Sequence, residues 1–242
     1  MRVAVISDIH ANLHALEAVL AEVEGERPDA VWCLGDLVGY GPRPNDCCAL
    51  VRKRANLCLM GNHDLVALGR LGTDDFNEEA AAAARWTRQE LDDDSRSYLE
   101  SLAPSGSAEH AQLFHASARD PVWEYVLTDE AALATLLLTT APLVLVGHSH
   151  VALAVELAGD RVTGGLAPAA TRIELSENRR LLNPGSVGQP RDGDPRAAWL
   201  LLDFAERFAS FRRVAYPIER TQGEMRAVGL PELLASRLAK GQ

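Results

Sequence analysis

Three short apolar runs, separated by two helical patterns, fill the first sixty residues and restrict the possible folds more than any other feature. The runs are residues 2–6, 30–34 and 56–60, and each suits a strand that is buried on both faces. Residues from Asn12 to about Glu24, with Asn12 as the N-cap, and residues 45–54 have helical spacing. Strand–helix–strand–helix–strand with short links predicts right-handed crossovers, a parallel sheet and therefore an α/β fold.

The rest of the chain changes character twice. We expect a helical insert at about 65–110, in which Asn77 caps a helix, and a C-terminal helical tail at about 221–240 that breaks near Pro231. The other predicted elements are a helix near 129–138 and strands at 111–115, 143–147, 151–157, about 170–175, 180–182, 197–203 and 207–214. Since no repeat or long linker interrupts this series, residues 1–242 are predicted to form one domain.

Charge and composition exclude several classes of partner. The net charge of −10 disfavours a broad nucleic-acid surface or docking on an anionic membrane, because both depend on an excess of Lys and Arg. No apolar run approaches the roughly 18–20 residues of a membrane span, and Asp8 interrupts the N-terminal run too early for a signal peptide. The four cysteines lack CxxC spacing and predict free thiols in a reducing compartment. We therefore expect a cytoplasmic protein.

Polar side chains follow five of the predicted strands, at the point where each strand ends. They lie in the motifs Asp8-Ile9-His10, Gly35-Asp36-Leu37-Val38-Gly39, Gly61-Asn62-His63-Asp64, the single His115, and Gly147-His148-Ser149-His150. Each motif alone has an ordinary structural explanation, such as a helix cap, a turn glycine or a buried histidine. However, five of the seven histidines lie at these strand ends, and the carboxyl ends of neighbouring strands meet in one crevice.

The residue types in these motifs favour a transition-metal site. Mixtures of imidazole and carboxylate suit Mn, Fe, Zn, Co or Ni, whereas Mg and Ca sites are almost entirely oxygen. Two ions about 3.5–4 Å apart need a bridging carboxylate. Asp36 is our choice for the bridge, because it is central in chain order and follows a glycine. His148 and His150 are two residues apart and can reach different ions if the backbone bends at Gly147.

Taken in order, these motifs resemble those of the calcineurin-like metallophosphoesterase superfamily, in particular its small bacterial and archaeal cytosolic branch. The resemblance covers residues 1 to about 215. It implies a four-layer αββα fold, in which two mixed β-sheets pack face to face and are flanked by helices. It also implies two metal-ligand sets: Asp8, His10, Asp36 and His150 for one ion, and Asp36, Asn62, His115 and His148 for the other.

In that family His63 would contact the phosphate and protonate the leaving group, and Asp64 would orient the His63 ring. Substrate binding is assigned to Asn62, His63 and Arg191. Two departures from the family pattern stand out: Ala116, rather than glycine, follows His115, and the insert at about 65–110 is long enough to raise the question of a lid.

Arginines near the motifs are further candidates for binding phosphate. Arg191 lies in the Asn-Pro-Gly-Ser loop at 183–193, which is either a hairpin connection or a border of the crevice from which Arg191 reaches substrate. Arg119, shortly after His115, is a weaker candidate of the same kind. Tyr40, Pro42 and Arg43 follow Asp36 and could help to stack a base.

The expected function is hydrolysis of a small or nucleotide-type phosphodiester by metal-activated hydroxide. The expected cofactors are two divalent transition-metal ions, with Mn first and Fe, Zn, Co or Ni as alternatives. Alternative substrates are a dinucleoside polyphosphate, a phosphomonoester or a phosphoprotein. An alternative of another class is a non-catalytic, metal-binding interaction scaffold. The sequence leaves the physiological substrate, the native metal and the oligomeric state open.

Overall fold

Two six-stranded β-sheets form the centre of the protein in the computed structural model, which describes residues 1–108, 110–175 and 177–242. The strands in these ranges are β1 (Arg2–Ile6), β2 (Ala30–Cys33), β3 (Leu57–Cys58), β4 (Ser105–Ala108), β5 (Ala111–Phe114), β6 (Leu143–Leu145), β7 (Ala152–Ala158), β8 (Arg161–Leu166), β9 (Arg172–Glu174), β10 (Arg180–Pro184), β11 (Ala197–Asp203) and β12 (Phe208–Val214). The helices are α1 (Leu13–Glu26), α2 (Pro44–Arg54), α3 (Asn62–Ala67), α4 (Glu78–Glu90), α5 (Asp93–Glu100), α6 (Asp129–Leu138), α7 (Ile218–Ala227) and α8 (Glu232–Leu238).

Both sheets combine parallel and antiparallel strands. The first has the order β3-β2-β1-β11-β12-β9, and the second has the order β4-β5-β6-β10-β7-β8. β1 pairs in parallel with β2, and β2 with β3, as the alternating pattern at the start of the chain predicts. In the second sheet, β6 lies between the parallel strands β5 and β10. The site-bearing ends of β1 and β2, and those of β5 and β6, are therefore neighbours.

The alternation of side chains along β1 shows how the layers pack. Val3 and Val5 face inward and pack with residues of the second sheet such as Leu145 and Leu182. Ala4 and Ile6 point outward into a cluster shared with α1 and α2, while α6 covers the outer face of the second sheet. Two mixed sheets thus pack face to face between helices, and the predicted fold class is confirmed.

The predicted helix caps at Asn12 and Asn77 are confirmed. The Oδ1 atom of Asn77 accepts a hydrogen bond from the amide of Ala80 at 2.8 Å, and Asn12 Oδ1 accepts one from the amide of Ala15 at 3.2 Å. Asn12 also donates from Nδ2 to the carbonyl of Gly188 at 2.9 Å. It therefore joins the first helix to a loop of the second half of the chain.

Some predicted boundaries differ from the structure. The strand predicted at 56–60 is only Leu57–Cys58, because the amide of Met60 leaves the sheet and donates to the carbonyl of Ala103. The helical insert ends at Glu100 and is followed by β4, whose Ser-Gly-Ser-Ala sequence lacks the apolar alternation of a strand. The strand β8 was missed for a similar reason, since it contains two adjacent glycines.

Two further expectations concern the chain as a whole. The four cysteines are free thiols. No helix within the described ranges has the length and apolar character needed to cross a membrane.

We predict that Asn12→Ala lowers the free energy of unfolding by about 1–2 kcal/mol, because it removes a helix cap and leaves the Gly188 carbonyl without this donor. Urea denaturation measures the loss. The matched control is Asn77→Ala, which removes a cap but no link to a distant loop. Equal losses in the two variants would mean that Asn12 acts as a helix cap alone.

Candidate metal centre

The polar motifs lie on sharply turned backbone at the strand ends. Asp8, Asp36, His148 and His150 have φ angles of 55°, 53°, 62° and 59°, in the left-handed region. This conformation costs a residue other than glycine on the order of 1–3 kcal/mol, and such residues cluster at functional sites. The turns direct polar side chains from both sheets toward the same crevice.

Hydrogen bonds hold the motifs against one another. The amide of Asp8 donates to the carbonyl of Gly35 at 3.0 Å, and that of His10 donates to the carbonyl of Asp36 at 3.0 Å. The amide of His148 donates to the carboxylate of Asp8, with distances of 3.1 and 3.2 Å to its two oxygens. The strand ends of the first sheet are thus tied to each other and to the second sheet.

One group of possible ligands contains Asp8, His10, Asp36 and His150, whose donor atoms all lie within 4.8 Å of one another and are buried. The Nδ1 atoms of His10 and His150 lie 3.2 and 2.6 Å from the carbonyls of Val38 and Gln189. If Nδ1–H donates there, each Nε2 keeps its lone pair for a metal. These Nε2 atoms are 2.8 Å apart, and a shared cation would remove the repulsion between their lone pairs.

A second group contains Asp36, His115 and His148. The Nδ1 atom of His115 lies 2.9 Å from the carbonyl of Leu34, so its Nε2 faces the site. His148 is turned the other way, with Nε2 3.1 Å from the carbonyl of Trp123. The amide oxygen of Asn62 lies 3.2 Å from His115 Nε2 and so adds an oxygen beside this group. His148 and His150 therefore belong to different groups, as expected.

The carboxylate of Asp36 is shared by the two groups. Its Oδ1 accepts a hydrogen bond from the amide of His63 at 2.9 Å. Its Oδ2 is buried without a hydrogen-bond partner among the described residues, and it lies 3.5 Å from His10 Nε2 and 3.6 Å from His115 Nε2. A Cβ atom on Gly61 would lie 2.0 Å from Asp36 Oδ1, so this close approach requires glycine.

Burial makes this cluster costly without a cation. It raises the pKa of Asp8 to about 7 and that of Asp36 well above its usual range. It lowers the pKa of His148 to about 2 and the pKa values of His10 and His150 well below their usual range. The imidazoles are therefore neutral at pH 7, as metal ligands must be, and divalent ions would stabilise the buried carboxylates. The residues present fit a metal centre.

The expected contact between Asp64 and the His63 ring is wrong. Asp64 Oδ1 accepts hydrogen bonds from the amides of Leu37 and Val38 at 2.9 and 3.1 Å, and Oδ2 accepts one from the amide of Gly61 at 2.9 Å. Both carboxylate oxygens thus accept hydrogen bonds from backbone amides of two turns, and no hydrogen bond to the His63 ring is found among the described residues. Asp64 is a positioning residue that fixes the Asp36 loop against the Gly61 turn.

His63 points into a cavity of about 210 Å³ beside the cluster. Its ring stacks on that of Phe76, with the ring centroids 4.5 Å apart. The centroids of the His63 and Tyr40 rings are 4.3 Å apart. Its Nδ1 is buried without a hydrogen-bond partner in the described ranges. A Cβ atom on Gly39, which has a φ of +88°, would lie 2.6 Å from that nitrogen. Burial lowers the pKa of His63 well below its usual range.

Of the two candidate arginines, one lines the cavity and the other does not. Arg191 lines the cavity together with Asn62 and His63, whereas Arg119 is turned away and pairs with Glu124, with 2.9 Å from Nε to Oε1. Tyr40 lines the cavity, but it is buried and its hydroxyl lies 3.3 Å from Arg191.

Other residues that line the cavity were missed by the sequence analysis. Phe76 and Asn77 come from the insert, Trp123 and Tyr125 from the loop after His115, and Arg237 from α8. The two loop aromatics lie shortly after His115 in the chain, and this proximity to a predicted site residue could have indicated them. The sequence around Arg237 carries no comparable signal.

Comparison with known proteins agrees with this geometry. Residues 1–207 match the calcineurin-like phosphoesterase superfamily domain. The chain belongs to this superfamily. It is therefore a metallophosphoesterase-type hydrolase that acts on phosphoester bonds.

Bacterial and archaeal proteins are similar over the whole length of the chain. A metallophosphoesterase from Sphaerobacter thermophilus is 42% identical, with a TM-score of 0.90 and coverage of 100% of this chain and 99% of that one. An uncharacterized protein from Methanocaldococcus jannaschii is 35% identical over 99% of this chain and 98% of its own length. A hypothetical protein from Pyrococcus horikoshii OT3 shares the fold, with 19% identity, a TM-score of 0.80 and coverage of 100% and 98%.

We predict that Asp64→Asn lowers the free energy of unfolding by about 1–3 kcal/mol, since one carboxylate oxygen becomes an amide that cannot accept a backbone hydrogen bond. Chemical denaturation measures this loss, with Asp75→Asn at the exposed cavity mouth as the control. A different outcome would instead support a role of Asp64 in orienting His63. In that case the variant would keep its stability, and hydrolysis would slow for esters with poor leaving groups but not for those with good ones.

Proposed function

We propose that this phosphoesterase hydrolyses small or nucleotide-type phosphodiesters at a centre of two divalent metal ions. The observation that carries the proposal is the position of Asp36 Oδ2, which is buried between the nearest nitrogens of two separate histidine groups. A carboxylate shared in this way is what a two-metal site requires.

Two ligand sets are available for the ions. Asp8, His10, Asp36 and His150 would hold one, and Asp36, Asn62, His115 and His148 would hold the other. The abundance of imidazole favours Mn, Fe, Zn, Co or Ni, with Mn as our first choice. When bound, such ions supply Lewis-acid stabilisation of phosphate oxygens and lower the pKa of a coordinated water.

The chain's own groups would bind and orient the substrate beside this centre. Asn62, His63 and Arg191 line the same cavity, so an amide, an imidazole and a guanidinium can all contact a phosphate-bearing substrate there. The volume of about 210 Å³ supports a small substrate, and a phosphoprotein would need a broader groove. We favour a diester because His63 lies where it can serve a leaving group that needs a proton.

His63 must become protonated to act as that donor. Burial keeps its ring neutral in the free protein, but a phosphate placed against it favours the charged imidazolium. Its Nδ1 is buried against Gly39 without a partner in the described part of the chain, so the proton given to the leaving group would come from Nε2. Binding of the substrate phosphate would therefore favour protonation of His63.

A substrate comparison with Mn²⁺-loaded protein tests the reaction class. Bis(p-nitrophenyl) phosphate should be hydrolysed faster than p-nitrophenyl phosphate and than a dinucleoside tetraphosphate. A reversed order would support the phosphomonoesterase or the polyphosphate hydrolase instead. Absence of hydrolysis with all three and with each candidate metal would overturn the proposal.

We predict that Asp36→Asn reduces Mn²⁺ binding at both positions, because one lost charge affects two ions. Elemental analysis after reconstitution should give less than one ion per chain. His10→Ala and His115→Ala, each in one group only, should each lose about one ion of two. If Asp36→Asn binds two ions and retains turnover, Asp36 is not the bridge.

We predict that His63→Ala retains both ions but loses about 10²–10⁴-fold in rate on an alkyl phosphodiester. The loss should shrink with a p-nitrophenyl ester, since p-nitrophenolate leaves readily without a proton. The exposed His110→Ala provides the control. Equal losses on the two esters, together with a missing ion, would show that His63 is a ligand.

A further inference from the structure

Two guanidinium groups face the cavity beside His63 from distant parts of the chain. Arg191 comes from the loop after β10, and Arg237 comes from α8. The helix that carries Arg237 is held by Leu234 and Leu238, which pack in one cluster with Tyr40 and with residues of α4. The position of Arg237 at the cavity is thus fixed by the packing of α8.

Among the described residues neither guanidinium forms an ion pair with a carboxylate within 4.0 Å, although the charge of Glu79 acts on Arg237 from a greater distance. Arg191 is bonded to neutral groups, with Nη2 2.8 Å from Gln189 Oε1 and 3.3 Å from the hydroxyl of Tyr40. Arg237 Nε is buried without a hydrogen-bond partner among the described residues. Burial and the neighbouring charge of Arg191 hold the pKa of Arg237 below its usual range.

Other arginines of the same helical tail are paired. Arg226 Nη2 lies 2.6 Å from Glu232 Oε1, and Arg220 Nε lies 3.6 Å from Glu224 Oε1. Arg191 and Arg237 have no such close ion pair among the described residues, and their like charges repel each other. An anion bound between them would remove that repulsion. The phosphate to be hydrolysed must lie against the Asp36 cluster, so the arginine pair is available to a different anionic group.

Aromatic rings form the other part of the wall. The ring centroids of Trp123 and Phe76 are 5.8 Å apart, and the Phe76 ring stacks on that of His63. The ring of Tyr125 stacks on His148 at 4.1 Å and is 47% exposed. These flat apolar faces suit a nucleobase, since stacking on aromatic side chains tolerates any base.

We propose that Arg191 and Arg237 form a subsite for a second phosphate, and that the substrate is a nucleotide carrying a phosphate besides the one that is hydrolysed. This inference rests on the proposed function. The superfamily match ends at residue 207, so Arg237 would add a selectivity that the matched domain does not contain.

Two esters that differ in one group test the proposal. The first is the p-nitrophenyl ester of thymidine 5′-phosphate, and the second is the same compound with an added 3′-phosphate. With Mn²⁺-loaded protein we expect kcat/KM to favour the second ester by about tenfold to hundredfold, the effect of one or two charge-assisted hydrogen bonds. In Arg237→Gln this ratio should fall toward one, and Arg237→Lys should keep part of it.

The matched control is Lys240→Gln, which removes an equal charge from an exposed position three residues further on and should leave the ratio unchanged. Thermal unfolding checks that each variant is folded. A wild-type ratio near one, or an equal ratio in wild type and Arg237→Gln, would overturn the inference.

Binding separates this inference from the proposed reaction. Calorimetric titration should show that thymidine 3′,5′-bisphosphate binds more tightly than thymidine 5′-phosphate, and that Arg237→Gln abolishes the difference. If neither ester is hydrolysed but this difference in binding is found, the reaction is wrong and the subsite stands. Equal affinities of wild type for both nucleotides would refute the subsite whether or not turnover occurs.

Discussion

The Asp36 carboxylate is the group on which the architecture of the site depends. One oxygen is held by the amide of His63, while the other is left between His10 and His115. A buried anion in that position is unfavourable unless positive charge balances it. The surrounding turns keep it there at the expense of local strain, and Gly61 leaves it the necessary room. The chain is thus built around a carboxylate that needs cations.

The same turns connect the candidate metal cluster with the wall of the neighbouring cavity. Asp64 ties the turn after β2 to the turn before α3, which holds the His63 ring at the wall of the cavity. Other segments complete that wall, including the insert through Phe76 and the C-terminal helix through Arg237. The candidate ligand cluster therefore belongs to the strand ends, whereas the rest of the cavity wall belongs to the segments added around them.

The parts of the fold that sequence predicts are those with a local cause. The site is marked by the concentration of histidines at the ends of buried strands. Asparagine caps mark the helix starts after Asn12 and Asn77. β8 carries no such signal, since its pairing is set by β7. The role of Asp64 and the position of Arg237 likewise depend on which segments meet in three dimensions, which spacing along the chain does not encode.

The division of the ligands between the sheets has a consequence for folding. Asp8 and Asp36 follow strands of the first sheet, whereas His115 and His148 follow strands of the second. Each ligand group therefore draws on both sheets and on residues more than a hundred positions apart. Because each group combines residues from both sheets, it is complete only when the two sheets have docked. An ion bound there would cross-link the two sheets. The sheets would then unfold together in one cooperative event.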